Sequence, residues 1–452
     1  MARNSQFKKT VFDNGLIVLS ERLTQFRSLS MGVWVKVGTR HEALQVAGIC
    51  HFLEHMLFKG TKNRTALQIA REVDQVGGEF NAFTAREHTC FHILLLDRDY
   101  KLGLDILSDV LMHSNFKNEE MERERKVILQ EISMVEDSPE ELAHDLFFEQ
   151  VYDQHGLGRP ILGSEKSVQR MTRDDLVRFF KYYYQPERLV VSVAGDVSHD
   201  EVLRKLRPLS KYGAAKKPGK SKKAGKFGAS SKSRAFEVLP TTPEVKSGFW
   251  WMERNTEQVH LIWGVKGLNY TSKDRFAAFL LNVYLGGGMS SSLFQEIREK
   301  NGLAYTVYSC MSPFEDTGVF SIYVATGINQ VALCLKLIEK CVDQLKRKAL
   351  SKNELRIIQD NLKGTILVSS DNVESRMISI AKNEIFLNKY MTVEEVCQEV
   401  DAVTPEDVRR IANFLFKDQQ RSVFALGPKP PRRLASQLRQ EVPHLRPIQN
   451  LS

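Results

Sequence analysis

Hydrophobic and polar positions along the chain follow the same order of patterns twice. In the first half, the strand-like stretch LSMGVWVKV precedes a loop and the apolar stretch HFLEHMLF. In the second half, VHLIWGVKG precedes a loop and the apolar stretch FAAFLLNVYLG. Short apolar runs are typical of strands, and apolar residues three and four apart are typical of helices. The pattern therefore predicts a strand and then a helix at matching places in both halves.

Two further pairs of segments match between the halves. A strand followed by an amphipathic helix is predicted for both TCFHILLLDRDYKLGLDILSDVLMH and VFSIYVATGINQVALCLKLIEKCVDQL. A helix followed by a strand is predicted for both MTRDDLVRFFKYYYQPERLVVSVAGDVS and VTPEDVRRIANFLFKDQQRSVFALGP, where a Thr before acidic residues marks the helix start. We therefore expect an α+β fold of two similar duplicated domains, each a mostly antiparallel sheet packed with helices on one side.

A segment of unusual composition separates the halves. Residues 211–234 carry eight Lys and one Arg but no acid, and so account for the net charge of +9. Such a composition cannot bury a core, so we expect a flexible linker between an N-terminal domain, 1–210, and a C-terminal domain, 235–430. Binding of nucleic acid or anionic lipid is the alternative, but the folded context of a nucleic-acid-binding module is absent. Residues 431–452 are Pro-rich and basic, and we expect a loosely packed tail there.

The chain of 452 residues has the composition of a soluble globular protein, 42% hydrophobic and 26% charged. No apolar run approaches the roughly 20 residues that span a bilayer. The N-terminus lacks the apolar stretch of a secretory signal. We expect a cytoplasmic location of bacterial type, with a mitochondrial matrix protein whose leader has been removed as the alternative. Without a Cys-x-x-Cys pair, the cysteines are expected to be buried small hydrophobic residues. They are Cys50, Cys90, Cys310, Cys334, Cys341 and Cys397.

The apolar helix of the first half contains two histidines, His51 and His55, with Glu54 between them. Positions i, i+3 and i+4 of a helix share one side, so the three polar side chains can face a common point. Two imidazoles from one helix with an adjacent carboxylate are a zinc-site arrangement, and His-x-x-Glu-His is the inverzincin pattern. A chance pair of surface histidines is the alternative, but the otherwise apolar helix offers no obvious solvent-facing stripe for it.

A catalytic zinc needs a third protein ligand, and residues 122–152 offer acids with helical periodicity. Glu124 and Glu131 are seven residues apart, which is two turns, so both lie on one helix face. Either carboxylate could meet the histidine helix. Spacing alone does not choose between them.

With these motifs, the chain resembles the pitrilysin family of zinc endopeptidases, most closely the mitochondrial processing peptidase β-subunits and their bacterial homologues. The resemblance covers nearly the whole folded length and leaves out the linker and the tail. It rests on four features, which are His51-x-x-Glu54-His55 with Glu131 after 75 intervening residues, GGEFNAFTAREHTCFHI (77–93), HGLGRPILGSEKSV (155–168) and LGGGMSSSLFQEIREKNGLAYTVYS (285–309).

The resemblance implies a metal site and a base in the first half. It makes His51, His55 and Glu131 the ligands of one zinc ion per chain. It makes Glu54 the general base that takes a proton from the attacking water and returns it to the leaving amine. Glu124 becomes a supporting acid near the metal.

The second half is expected to contribute to catalysis without a metal of its own, because its matching helix, FAAFLLNVY, has no His or Glu. The resemblance implies that Arg298 and Tyr305 reach the substrate or the transition state across a peptide-binding cavity enclosed by the two domains. Without the resemblance, both residues would be read as structural.

An extended peptide is expected to bind as an added strand along residues 79–87, EFNAFTARE. The alternation there suits a strand, and the backbone groups along a flat sheet edge can pair with any peptide. The substrate-binding residues on this strand would be Asn81, Ala82 and Phe83. A plain edge strand without a ligand is the alternative.

Glu141 and Asp145 are four residues apart, so on a helix their carboxylates share a face that suits a guanidinium. In processing peptidases, the matching positions carry acids that recognise an arginine just before the cleavage point. We therefore expect a preference for a basic residue near the scissile bond. A solvated acidic face is the alternative.

The sequence therefore predicts a zinc-dependent endopeptidase that acts on extended peptides or unfolded protein segments. The alternative is a catalytically silent assembly or binding subunit of the same fold. Such relatives generally lack parts of the zinc motif, whereas this sequence keeps all three ligands and the base. We expect a homodimer, or a heterodimer with a related subunit, and we do not expect a membrane span or a nucleic-acid partner.

Overall fold

The computed structural model of the chain describes residues 6–212, 242–417 and 420–451. They form two compact units, and each unit includes a segment from the other half of the chain. Among the described residues, the first unit comprises 6–133, 159–212 and 369–390, and the second comprises 134–158, 242–368, 391–417 and 420–451. The domain boundaries at residues 210, 235 and 430 stay predictions, and the compact units differ from them by the two exchanged segments.

Twelve strands form two six-stranded sheets within the described residues. The strands are β1 (Gln6–Val11), β2 (Ile17–Arg22), β3 (Ser28–Val35), β4 (Glu79–Thr84), β5 (Thr89–Leu96), β6 (Leu189–Gly195), β7 (Gly248–Glu253), β8 (Val259–Lys266), β9 (Ala304–Pro313), β10 (Gly318–Thr326), β11 (Ser422–Gly427) and β12 (Ile448–Leu451). The order in the first sheet is β1-β2-β6-β3-β5-β4, and in the second it is β12-β7-β11-β8-β10-β9.

The helices surround these sheets. They are α1 (Ile49–Leu57), α2 (Ala66–Gln75), α3 (Tyr100–His113), α4 (Asn118–Glu136), α5 (Pro139–Tyr152), α6 (Glu165–Arg170), α7 (Arg173–Tyr183), α8 (His199–Leu206), α9 (Arg275–Gly286), α10 (Val331–Arg347), α11 (Lys352–Ser370), α12 (Val373–Lys382), α13 (Val393–Asp401), α14 (Pro405–Leu415) and α15 (Leu434–Glu441). Thr172 and Thr404 cap α7 and α14, each in a reciprocal pair with the Asp three residues on, as their sequences predict.

The duplicated α+β fold is confirmed. Five strands have the same order in both sheets, β2-β6-β3-β5-β4 and β7-β11-β8-β10-β9. Most pairs are antiparallel, and β2–β6, β7–β11 and β7–β12 are parallel. The sixth strand differs, because β1 comes from the start of the chain and β12 from its end.

Helices cover both faces of each sheet, so the prediction of helices on one side is wrong. In the first unit, α12 lies against β2, β3 and β6. Its Met377 and Ile380 are buried with Trp34 and Val190, which point away from the main core. In the second unit, α5 lies against β8 and β11 in the same manner. Both sheet faces are apolar, and each therefore requires a covering helix.

The tail of the chain is folded, which overturns the expectation of loose packing. Helix α15 and strand β12 belong to the second unit, and β12 pairs with β7. Leu434, Leu438 and Val442 are four residues apart and buried in the core of this unit. The spacing gives the segment one apolar helix face, and this face outweighs its proline and arginine content.

Three further predictions concern the linker, membranes and cysteines. From residue 213 onward, the predicted linker lies outside the described residues. No helix in the described part of the chain is long and apolar enough to cross a bilayer. Burial is found for Cys50, Cys90, Cys334 and Cys341, whereas Cys310 is exposed and Cys397 is half-buried. The prediction of buried cysteines is therefore wrong for Cys310, on the edge strand β9, and incomplete for Cys397.

Candidate metal centre and active site

The start of α1 is held by a buried carboxylate. Glu42 accepts the backbone N–H groups of Gly48 at 2.8 Å and of Cys50 at 2.9 Å, which satisfies donors of the first helical turn. Burial raises the pKa of Glu42 to about 7, against these hydrogen bonds, which lower it. Gly48 has φ +89°, and a Cβ there would lie 2.5 Å from the carbonyl oxygen of Leu162. These contacts fix where α1 begins and therefore which way its histidines point.

Three side chains converge in the first unit. The rings of His51 and His55 lie on one face of α1, with centroids 4.6 Å apart. Glu131 comes from α4, and its Oε2 lies 3.7 Å from His51 Nε2 and 3.6 Å from His55 Nε2. Across residues 6–212, 242–417 and 420–451, they are the one group of three such side chains close enough to hold a metal ion. The structure thus brings Glu131 to the histidines, a choice that spacing left open.

The donor set fits zinc. Glu131 Oε2 is buried and has no hydrogen-bond partner among the described residues, which is costly for a carboxylate oxygen unless a cation satisfies it. Neighbouring ligand atoms of a tetrahedral zinc site lie about 3.4 Å apart, close to the distances found here. Burial, and then the His55 imidazole, lower the pKa of His51 to about 3. His51 is therefore neutral, as a metal ligand must be.

Glu124 lies behind the three-residue group. It is 6% exposed, and its Oε2 lies 3.0 Å from His55 Nδ1. Because an ionised carboxylate only accepts hydrogen bonds, this contact assigns the imidazole proton to Nδ1 and leaves Nε2 as the free donor atom. The free Nε2 is the atom that faces Glu131. The position agrees with the supporting role that the resemblance implies for Glu124.

Glu54 is held by a hydroxyl from the neighbouring edge strand. Thr84 Oγ1, at the end of β4, donates to Glu54 Oε2 at 2.5 Å. Burial raises the pKa of Glu54, against the hydrogen bond from Thr84, which lowers it. A carboxyl with a raised pKa binds a proton more readily, as a group that takes and returns one must.

Strand β4 is the edge strand of the first sheet and pairs with β5 on its other side. It ends at Thr84, three residues before the predicted limit. The Ala82 N–H donates to Asn81 Oδ1 at 2.8 Å. Phe83 faces away from Ala82 and packs edge-on to Trp34 at 5.5 Å. Asn81 and Ala82 therefore meet at the free backbone edge, whereas the Phe83 side chain packs against the sheet.

The predicted specificity acids lie on α5 in the second unit. Glu141 is exposed and Asp145 is half-buried, and the two share a helix face. Burial, and then the charge of Asp145, raise the pKa of Glu149 one turn further on. The acids thus form a stripe along α5. These acids and the predicted zinc ligands belong to different units.

Arg298 and Tyr305 lie together in the second unit. Arg298 belongs to the π-helix Phe294–Glu299, a form that occurs frequently at functional sites. Its guanidinium carbon lies 4.4 Å from the centre of the Tyr305 ring, and its Nη1 donates to the Tyr305 carbonyl oxygen at 3.0 Å. Tyr305 is 75% exposed, so most of the residue is accessible to solvent.

Sequence reasoning missed three residues around the site, Glu42, Thr84 and Lys59. Lys59 Nζ lies 2.7 Å from Glu124 Oε1. Its position four residues after His55 was a usable signal, because a helix continued by one more turn would place Lys59 on the face of His55. In the structure, α1 ends at Leu57, and Lys59 follows two residues later. The alternation along β4 placed Thr84 on the face of Ala82. For Glu42, no local pattern indicated a cap so far ahead of the helix.

Comparisons with known proteins find two family matches. Residues 17–165 match the family described as Insulinase (Peptidase family M16), and residues 170–362 match the one described as Peptidase M16 inactive domain. The predicted zinc ligands fall within the first match, and the second covers most of the half that lacks a metal motif.

Similar curated proteins include two named as uncharacterized zinc proteases. The one from Bacillus subtilis is 37% identical over 91% of this chain and 96% of its own length. The one from Streptomyces coelicolor is 38% identical over 93% of this chain and 89% of its own. Among solved structures, a protease from Helicobacter pylori matches with a TM-score of 0.84 and 25% identity, over 94% of this chain and all of its own.

Proposed function

The chain belongs to peptidase family M16 and is a zinc metalloprotease of that family, and we propose that it is an endopeptidase for extended peptides or unfolded protein segments, with one zinc ion per chain. The observation that carries this proposal is the buried Glu131 Oε2, which has no hydrogen-bond partner in the described structure and faces two imidazole nitrogens. In the second half, the helix matching α1 has neither His nor Glu, which supports a single zinc.

The proposed mechanism assigns a role to each nearby side chain. When bound, zinc supplies Lewis acidity and lowers the pKa of water. Glu54 takes the proton of the attacking water and returns it to the leaving amine. Thr84 orients the Glu54 carboxylate through its hydrogen bond.

The proposed peptide site is the free edge of β4. A bound peptide would add a strand there, and its carbonyl groups would accept from outward backbone donors such as the Ala82 N–H. In the described structure, Asn81 Oδ1 accepts from this donor, so a peptide carbonyl has to displace it. Main-chain pairing of this kind accepts many sequences, as a protease for extended segments requires.

The loss of the base is the decisive test. Glu54→Gln preserves shape and removes proton transfer, so cleavage should fall by about 10²- to 10⁴-fold while zinc content stays near one per chain. Glu131→Gln should instead lower the zinc content. Metal analysis and peptide cleavage, with and without a chelator, measure both. Near-normal turnover by Glu54→Gln would overturn the mechanism.

The silent-subunit alternative predicts a different outcome of this experiment. Such a subunit would bind zinc or a peptide but would not cleave peptides even as wild type. The convergence of both histidines with Glu131, and the presence of Glu54 between the histidines on α1, favour the protease. Assembly into a homodimer or a heterodimer and the cytoplasmic location are part of the proposal and need measurements of mass and localisation.

The finer part of the proposal is a preference for Arg, and less strongly Lys, near the scissile bond. It rests on the acidic stripe of α5, where Glu141 and Asp145 share a face. A peptide library cut by wild type and by Glu141→Gln plus Asp145→Asn tests it. Wild type should prefer basic residues and the double variant should lose that preference, and an unchanged preference would contradict the assignment.

A further inference from the structure

We propose that Lys59 is a positioning residue of the zinc site, which fixes Glu124 so that Glu124 in turn fixes His55. This inference rests on the proposed zinc site. It adds a residue that lies in neither the ligand set nor the proton-transfer machinery.

Both oxygens of Glu124 are engaged. Lys59 Nζ lies 2.7 Å from Oε1, and His55 Nδ1 lies 3.0 Å from Oε2. The carboxylate is buried, and the Lys59 side chain is about one-third exposed. A short chain of contacts therefore runs from Lys59 through Glu124 to His55, whose Nε2 faces Glu131 at 3.6 Å.

The geometry gives Lys59 its role. A carboxylate held at one oxygen can still turn about its Cγ–Cδ bond, whereas one held at both oxygens has a single orientation. Partners behind a metal ligand set its ring orientation and tautomer, and their loss typically costs 10- to 100-fold in metal affinity. Lys59 contacts the Glu124 oxygen that His55 leaves free, so it completes the set of contacts behind the proposed ligand His55.

The charge of Lys59 acts in the opposite direction. A cation near the site repels a zinc ion, so removal of its charge alone would tighten zinc binding. Loss of the orientation of Glu124 would weaken it. The sign of the change in zinc affinity therefore distinguishes a positioning residue from a bystander charge.

The experiment measures the zinc dissociation constant of the full-length protein by chelator competition. Lys59→Met should raise it by about 10- to 100-fold. Lys59→Arg keeps a cation and should stay near wild type. Lys62→Met is the matched control, because Lys62 is exposed three residues further on, and it should not change zinc binding. The visible spectrum of the Co²⁺-substituted protein should change with Lys59→Met alone.

A double-variant cycle tests the route through Glu124. If Lys59 acts only by holding Glu124, Lys59→Met plus Glu124→Gln should bind zinc no more weakly than Glu124→Gln alone. Additive losses would overturn the proposal, and so would unchanged or tighter zinc binding by Lys59→Met. If Lys59→Met fails to fold, Lys59→Gln replaces it with the same criterion. Wild type that binds no zinc would instead refute the proposed function.

Discussion

At the scale of the residue, the proposed site depends on single contacts that hold the candidate ligands and the candidate base in place. His51 and His55 need only the period of α1 to share a face. Glu54 needs more, because a free carboxylate on a helix has several rotamers. Its hydrogen bond from Thr84 selects one of them and joins the proposed base to the strand on which the peptide is proposed to bind.

Thr84→Val tests this link. The substitution keeps the size of the side chain and removes the hydroxyl. A hydrogen bond to a charged group contributes about 1.5–3 kcal/mol, and partial loss of this contribution should lower kcat by about tenfold. Zinc content should stay unchanged because Thr84 is not among the proposed ligands. Thr84→Ser, which keeps the hydroxyl, should retain most of the activity. Equal kcat values for the Val and Ser variants would show that the hydrogen bond from Thr84 to Glu54 does not contribute to catalysis.

Asp109 shows how one buried carboxylate can order a loop. In the segment between α1 and α2, Thr61, Asn63 and Arg64 all donate to it, and so does His113 from its own helix. Burial raises the pKa of Asp109, but these hydrogen bonds outweigh it and hold the pKa below its usual value. Asp109→Asn should lower the free energy of unfolding by about 2–3 kcal/mol at neutral pH, since an amide cannot accept all of these bonds.

The pH dependence of this loss follows from the sign of the shift. A carboxyl with a depressed pKa in the folded state stabilises the fold above its unfolded pKa, and the contribution is lost as the pH falls through the folded pKa. The difference between wild type and Asp109→Asn should therefore shrink below about pH 4, the usual range of an aspartate. Denaturant unfolding from pH 7 to pH 3 measures it. A difference that is constant across this range would exclude the carboxylate charge as the cause.

At the scale of the element, the sequence predicts more about α1 than about β4. The apolar period of α1 predicts its buried face, and the inverzincin spacing predicts its polar one. For β4, alternation predicts a strand but not its place at the edge of the sheet. That place depends on which strands pair with β5, and only the fold decides it.

A proline at Ala82 tests the free edge of β4 without removing a hydrogen bond between β4 and β5. The Ala82 N–H donates to the Asn81 side chain, and proline is tolerated on edge strands where the N–H faces away from the sheet. Ala82→Pro should raise KM for extended peptides by about tenfold, which corresponds to about 1.4 kcal/mol of lost pairing. Zinc content should not change. Ala82→Val is the control, and a KM for the proline variant equal to that of the control would place the peptide elsewhere.

At the scale of the whole molecule, the two halves of the chain exchange segments. Residues 369–390 belong to the first unit and residues 134–158 to the second. In the first unit, Val373, Met377 and Ile380 of the exchanged segment are buried. At about 1.5–3 kcal/mol for each buried side chain, they contribute roughly 5–9 kcal/mol, which is comparable with the whole stability of a domain.

Halves of the chain expressed alone should therefore fail to form native units. Residues 1–240 alone should bind a hydrophobic dye and unfold without cooperativity, because the face around Trp34 lacks its cover. Co-expression with residues 241–452 should restore a cooperative transition and the zinc content of the intact chain. Dye binding, thermal unfolding and metal analysis of both preparations provide the measurement. A first half that is native by itself would show that the exchanged segment is dispensable.

Periodicity and capping are local, and the sequence alone determined what depends on them. They predicted the duplicated order of strands and helices, the caps at Thr172 and Thr404, and a helix face with two histidines and a glutamate. Tertiary structure decided which acid meets that face, because Glu124 and Glu131 share one face of α4 and differ only in what packs against them. It also decided the helix exchange and the packing of the tail. A sequence pattern records which face of an element is apolar or charged, whereas the partner that covers that face lies far away along the chain.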